Sequence, residues 1–348
     1  MKILLIMDPG ILVPPNGYGG IERIVEMLAK EYHRMGHEVH LLVTKGSFVE
    51  GCVMHPFGKE GFPPKKMDAW KAIPVAWKFL WKHRNDFDLV HSFGRLLYLL
   101  PILNLRVKKI MSYQREISTR NIKWINRLPN KNIVFTGCSH DLVSRGGIAG
   151  KWATVYNAVD FNIYTLRDNL PEDAPIIFLG RIERIKGCHT AIEVAKATNK
   201  KLIIAGNISK LPDEIDYYEK EIKPGIDGKQ VIFIGEVNDI QKNEWLGKAQ
   251  ALIMPVEWNE PFGIVMIEAM ACGTPVLGFN RGSVPEVIKN GISGFISENI
   301  EEMIKQVYRC KNIDRIEVRK IAEKKFNNQK ITNDYLALHS SVINVSAH

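Results

Sequence analysis

Short apolar runs, many of them β-branched, alternate along the whole chain with longer segments of helical period. In the first half the runs are Ile3–Met7, Val39–Thr44, Leu89–Ser92, Lys109–Ser112 and Ile133–Thr136. In the second they are Ile176–Leu179, Leu202–Ala205, Val231–Ile234, Ala251–Pro255 and Val276–Gly278. They lack the polar alternation of a half-exposed strand, so they predict central strands of parallel sheets covered on both faces. A helix is expected over Ile21–Met35 and a basic amphipathic one over Trp70–Lys82. Strand and helix alternate through both halves, which predicts an α/β protein of two doubly wound domains. A chain of 348 residues, 45% hydrophobic, is long enough for two such cores. The junction is expected near 160–174, where Asn162-Ile163-Tyr164 leads into a polar stretch from Arg167 to Asp173.

Five cysteines with no Cys-x-x-Cys pair give neither a disulfide framework nor a zinc signature and point to a reducing cytoplasm. The opening apolar run stops at Asp8-Pro9-Gly10 and reads as a buried strand, too short for a signal peptide. No apolar stretch approaches the roughly 20 residues that cross a bilayer. The net charge of +9 is uneven: residues 1–160 hold 23 Lys and Arg against 13 Asp and Glu, while 161–348 hold 24 against 25. The excess is densest between Lys65 and Lys151, with 17 basic and 5 acidic residues, and this stretch includes residues 65–84, where Trp70, Trp77 and Trp81 are each followed by a lysine. That pattern suits an anionic membrane surface, with rings at headgroup level, as well as an ordinary solvated helix face. No nucleic-acid-binding motif accompanies the basic residues.

The candidate chemistry falls where strands end. Gly17, Gly19 and Gly20 precede the first expected helix and let backbone N–H groups approach a phosphate at its N-terminus. Arg181 and Lys186 follow the strand Ile176–Leu179; a guanidinium fork with a mobile ammonium suits a diphosphate. Glu183 and Arg184, between them, read as an exposed pair. His91 closes the strand Leu89–Ser92. Glu260 and Glu268 stand eight residues apart around Pro261-Phe262-Gly263-Ile264. Pro261 fits the first turn of a helix, which would put Glu260 at its mouth and Glu268 about two turns inside. Free N–H groups and a positive dipole end would there meet an anion. His37-Glu38-Val39-His40 lacks the spacing of the zinc motif, and no Asp-x-Asp pair marks a metal-diphosphate site.

These segments, with Gly273-Thr274-Pro275-Val276, Gly291-Ile292-Ser293-Gly294-Phe295, Asp88-Leu89-Val90-His91, Asn157-Ala158-Val159-Asp160 and Lys186-Gly187, resemble the retaining glycosyltransferases of family 4, over almost the whole chain. The resemblance implies the GT-B fold: two Rossmann-like domains facing across a cleft, with a C-terminal helix crossing back to the first. The divisions would be 1–163 for the acceptor, 164–325 for the nucleotide sugar, and 326–348 for the helix. It implies Arg181 and Lys186 on the donor diphosphate with Gly19 and Gly20, and Glu260 with the N–H groups of Phe262, Gly263 and Ile264 on the sugar. Glu268 would take the ribose, Val237 would lie in the base-binding loop, and His91 would lie beside the transferred sugar. Asn157-Ala158-Val159-Asp160 departs from the family in having alanine where glycine is common.

The implied activity is metal-independent hexosyl transfer, with retention, from a nucleoside-diphosphate sugar to an acceptor hydroxyl. UDP is favoured over GDP by family frequency. The acceptor class is lipopolysaccharide, glycolipid or polysaccharide, and the expected location is cytoplasmic, at the inner face of the membrane if the basic segment binds it. No nucleophilic carboxylate pair of the glycosidase type is found, in keeping with front-face transfer. A nucleotide-sugar epimerase of the same fold, or a non-catalytic nucleotide-sugar-binding protein, shares these motifs. A dehydrogenase is disfavoured, because Gly-x-Gly-x-x-Gly is absent.

Overall fold

The computed structural model describes residues 1–17, 19–61, 66–128, 132–146 and 150–343. Contacts divide the chain into two units: Met1–Asn157 with the chain from Asn328 onwards, and Ala158–Asn327. Within the second unit, Val159 N–H donates to Phe326 O over 3.0 Å and Val159 bridges Asn327 in parallel. The first division comes at 157 rather than 163 because Arg319 holds the intervening turn. Its guanidinium donates to the carbonyls of Phe161 (3.1 Å) and Tyr164 (2.6 Å), tying them to the second unit.

Seven parallel strands form the first sheet: β1 (Lys2–Ile6), β2 (Glu38–Val43), β3 (Val53–Pro56), β4 (Leu89–Ser92), β5 (Lys108–Tyr113), β6 (Ile133–Gly137) and β7 (Trp152–Thr154). Their order is β3-β2-β1-β4-β5-β6-β7. Ile3 to Ile6 are fully buried at its centre, with Ile3 opposite Val39 on one side and Leu89 on the other. The second sheet is also parallel: β8 (Ile176–Leu179), β9 (Leu202–Ala205), β10 (Val231–Gly235), β11 (Ala251–Met254), β12 (Val276–Phe279) and β13 (Gly294–Ser297), in the order β10-β9-β8-β11-β12-β13. The order in which strands are added across the sheet reverses between β1 and β4 in one sheet and between β8 and β11 in the other. In open α/β sheets such switch points are where ligands bind, beyond the carboxyl ends of the strands.

The ten strands read from the sequence are all present, within two residues at each end. Three more, β3, β7 and β13, lie at sheet edges, where one neighbour suffices and the apolar demand is low. β3 ends on Pro56, tolerated because an edge leaves one side of the ladder open. β13 begins on Gly294, whose φ of 151° and closeness to Val276 exclude a side chain: a Cβ there would lie 1.9 Å from Val276 O.

Helix α1 (Gly20–Arg34) buries Ile24, Val25, Leu28, Ala29 and Tyr32, one stripe at helical spacing. Helix α2 (Lys66–Lys82) buries Ala72, Ile73, Ala76 and Leu80 and turns its tryptophans outward. Trp70 is 68% exposed and Trp81 54%; Trp77, 36% exposed, donates through Nε1 to Leu97 O over 2.9 Å. Lys71, Lys78 and Lys82 are exposed beside them, while Lys65 lies outside the described residues. The C-terminal helix Asn328–Ile343 belongs to the first unit. Asn328 Nδ2 donates to Glu31 Oε1 of α1 over 2.9 Å, and Tyr335 is buried against the ring of His91, centroids 4.6 Å apart.

Candidate functional site

In the second unit, the loops that follow β8 and β11 meet at the switch point. Gly187 makes this approach feasible. It is left-handed, φ 73°, and a Cβ on it would lie 2.0 Å from Pro255 O, just past β11. Glu257 N–H donates to Ile185 O over 2.9 Å, pinning one loop on the other. Lys186 is thereby carried to Glu260, with its Nζ 2.6 Å from Oε2. The same oxygen accepts from Trp258 Nε1 over 2.9 Å, and the ammonium lies 4.9 Å from the centre of the Trp258 ring. The lysine side chain is 19% exposed and the glutamate 8%, so the pair is largely withdrawn from water and little screened. Behind it, Ser283 N–H donates to Glu260 O over 2.9 Å, and Gly282 leaves no room for a Cβ against that carbonyl.

Pro261 does not open a helix. Gly263, left-handed at φ 71° and ψ 67°, stands between it and the helix Ile264–Ala271. A turn of that handedness cannot continue a right-handed helix, so helical backbone begins at Ile264. Glu268 is then the fifth residue of the helix, about one turn in rather than two. No side chain caps this N-terminus, so its first N–H groups keep their polarity toward whatever lies at Gly263. Phe262 is buried with its ring 5.8 Å from Phe326, fixing the entry to the turn.

Glu268 is buried, and its Oε1 accepts from Tyr164 Oη over 2.8 Å and from Lys242 Nζ. Lys242 also lies 3.1 Å from Asp239 Oδ1. Burial and the neighbouring Glu268 carboxylate push the Tyr164 hydroxyl well above its ordinary pKa, so it stays a proton donor. Val237 is half-buried in the loop after β10, immediately before Asn238, which caps the next helix in a reciprocal capping box with Gln241. Arg181 pairs with Glu183, Nη1 to Oε1 2.5 Å, and Glu183 is buried. Glu183 and Arg184 therefore do not pair with each other, as the sequence suggests. Arg184 turns away, to Glu221 and over the Tyr217 ring at 4.7 Å.

In the first unit, Gly19 has φ 151°, and a Cβ there would lie 2.6 Å from Pro15 Cβ. Gly20 is the first residue of α1, and Tyr18 lies outside the described residues. His91, expected beside a sugar, is instead enclosed, because all four residues of β4 are buried. Its Nε2 lies 2.7 Å from Ser112 Oγ, and its ring packs between Phe93 and Tyr335. Nδ1 is buried without a hydrogen-bond partner. Burial pushes its pKa down to about 3, so the ring is neutral. Ser139 Oγ accepts from Leu142 N–H, capping the short helix that His140 begins.

The second unit thus brings together Lys186 and Glu260, and sets Gly263 and Ile264 at the head of the helix carrying Glu268. Sequence reasoning did not single out Trp258, Lys242 or Tyr164, which hold the two glutamates. Trp258 carried a signal, standing two residues before Glu260 in the same loop. Lys242 and Tyr164 are 26 and 104 residues from Glu268, and nothing local marks them. Among the described residues, no group of three or more His, Cys, Asp or Glu could hold a metal ion, and no helix is long and apolar enough to cross a membrane.

The family profile described as glycosyl transferases group 1 matches residues 167–325, and that of glycosyltransferase family 4 matches residues 18–162. The N-acetyl-alpha-D-glucosaminyl L-malate synthase of Bacillus anthracis is 24% identical over 386 aligned positions, covering 96% of this chain and 97% of that protein. Among solved structures, sucrose-phosphate synthase from Thermosynechococcus elongatus superposes with a TM-score of 0.80 at 19% identity, covering 99% of both chains. Anabaena HepE in complex with UDP and glucose gives 0.74 at 19% identity, covering 98% of this chain and 100% of that one.

Proposed function

The chain belongs to the group 1 glycosyltransferases of family 4 and has the GT-B fold, and from that premise we propose that it transfers a hexose, with retention, from a nucleoside-diphosphate donor. The observation that carries the reading is the cluster of half-buried Lys186 and Trp258 on buried Glu260 at the switch point of the second unit, beside an uncapped helix N-terminus. Such a terminus favours anions, and Lys186 and Arg181 add charges that a diphosphate can share with Glu260 and Glu183. Glu260 and the N–H groups of Phe262, Gly263 and Ile264 hold the sugar hydroxyls. Glu268, oriented by Lys242 and Tyr164, holds the ribose, and Val237 borders the base. UDP is the favoured nucleotide, supported by the UDP complex of HepE.

In the reaction, the bond from the anomeric carbon to the diphosphate oxygen breaks as the acceptor oxygen bonds to the same face. The acceptor's proton passes to the leaving phosphate. Charge accumulates on the diphosphate, and preorganised cations there stabilise it, on the order of 3 kcal/mol for one good donor. No metal is assigned to this step. His91, neutral and enclosed, is given no proton to carry; its role is to shape the wall of the first unit. The acceptor is a glycan or lipid-linked glycan, and α2, with its row of exposed tryptophans beside lysines, is read as lying on an anionic membrane surface.

The test is thermal stabilisation by UDP, GDP, ADP and their sugars, with and without EDTA, in the parent and in Lys186→Ala, Arg181→Ala and Glu268→Ala. Stabilisation by one nucleotide, unchanged by EDTA and lost in the variants, is the expected result. No stabilisation by any of them would sink the donor reading.

A further inference from the structure

Each sheet has one switch point; the donor reading assigns side chains only at that of the second unit and takes backbone N–H groups alone, at Gly19 and Gly20, from the first. The other, between β1 and β4, carries a charged cluster of its own. Asp8 follows β1, Arg95 follows β4 and Arg115 follows β5. Arg115 Nη2 donates to Asp8 Oδ2 over 2.7 Å, and Arg95 Nε lies 3.7 Å from Asp8 Oδ1. The carboxylate is set down on the seam between the two strands: a Cβ on Gly94 would lie 3.2 Å from both Asp8 N and Asp8 Oδ1. The Asp8 side chain is 16% exposed, while those of Arg95 and Arg115 are 44% and 61% exposed. One withdrawn carboxylate thus orients two outward guanidinium groups and cancels the charge of one of them.

Each guanidinium carries five N–H donors in a planar fork, and Asp8 engages only a fraction of them. The donors left over point into water from the ends of adjacent central strands, where ligands of open α/β sheets bind. Glu22, buried in the first turn of α1, is an acidic group that interacts electrostatically with both Arg115 and Asp8. Burial, the largest cause, raises its carboxyl pKa above the ordinary carboxylate value, while Arg115 and Arg23 oppose that rise. The two exposed guanidinium forks offer N–H donors that a planar or tetrahedral anion could bridge bidentately.

We propose that Arg95 and Arg115, oriented by Asp8, form a subsite for a negatively charged group, phosphate or carboxylate, on the acceptor. That the anion belongs to the acceptor rests on the transferase reading; that the site binds an anion does not. The experiment is titration calorimetry of the full chain with glycerol 3-phosphate, succinate and uncharged glycerol at constant ionic strength, with UDP titrated in parallel. The expected result is binding of at least one anion but not glycerol, weakened tenfold or more in Arg95→Gln and in Arg115→Gln. Arg115→Lys, which keeps the charge and loses the fork, should fall between. Lys320→Gln, a charge loss on the other unit, should bind like the parent, and UDP affinity should be unchanged in all. The relative affinity of the phosphate and the dicarboxylate names the acceptor's anion. Absence of anion binding in the parent, or equal binding in a folded Arg95→Gln/Arg115→Gln double variant, would overturn the proposal. Anion binding without UDP binding would overturn the transferase reading and leave this one standing.

Discussion

A single carboxylate oxygen organises the second unit's site: Glu260 Oε2 accepts from both Lys186 and Trp258. Trp258→Phe removes one donor while keeping the ring under the ammonium. The expected cost is about 1 kcal/mol, roughly fivefold in kcat/KM, against a much larger loss for Lys186→Met, which strands a buried carboxylate. Steady-state kinetics on the identified donor checks both. His91 makes a prediction of the opposite kind. Its folded pKa, about 3, is below the ordinary 6.5, so the unfolded chain takes up the proton first. Stability from this group is complete above about 6.5 and is lost as pH falls from there toward 3. In His91→Phe, Ser112 keeps its 2.7 Å contact with Thr136, and about one proton fewer should be taken up on acid unfolding. The gap in Tm between pH 7.5 and pH 5 should narrow. At this scale the sequence exposed residues whose type and position both spoke, such as Glu260 and Lys186. It hid those defined by remote partners, and it gave no sign that the His91 ring would turn into the interior.

The elements that were legible are those buried on two faces. β1, β8, β9, β11 and β12 consist mostly of apolar residues because neighbours cover them on both sides, and such runs are visible in any sequence; β10, an edge strand, was legible from its apolar run Val231–Ile234 alone. β3, β7 and β13 were not, because an edge strand is specified by its neighbour's ladder more than by its own composition. The helix Ile264–Ala271 was legible as a helix but not in where it starts, since the sequence put Pro261 in its first turn and the left-handed Gly263 delays it to Ile264. Gly187 has the same character and more consequence. Gly187→Ala forces a Cβ against Pro255 O in a left-handed turn, at a cost of about 1–3 kcal/mol. The denaturant midpoint should fall with the slope unchanged, and donor affinity should fall with it, because the residue before it is Lys186. Normal affinity in a destabilised Gly187→Ala would mean that the loop does not position the lysine.

For the whole molecule the asymmetry of charge is the feature with a direct readout. The surplus resides in residues 1–160, and α2 displays part of it beside exposed tryptophans. Flotation with vesicles containing anionic lipid should recover the parent and release it as salt rises past the screening range. Replacing Lys71, Lys78 and Lys82 together by Glu should abolish recovery, whereas undiminished flotation of that variant would count against the membrane reading. Two tandem units of similar build were legible in length and rhythm, and the place of the last helix was given by resemblance alone.

The hydrogen bond between Val159 and Phe326 has a consequence for how the protein is made. The second unit begins and ends at adjoining points, whereas the first is interrupted and lacks Tyr335 until the whole second unit has been synthesised. On the ribosome, the half that emerges first is therefore the half that finishes last. The later half can close on itself while the packing around His91 still waits for its partner helix.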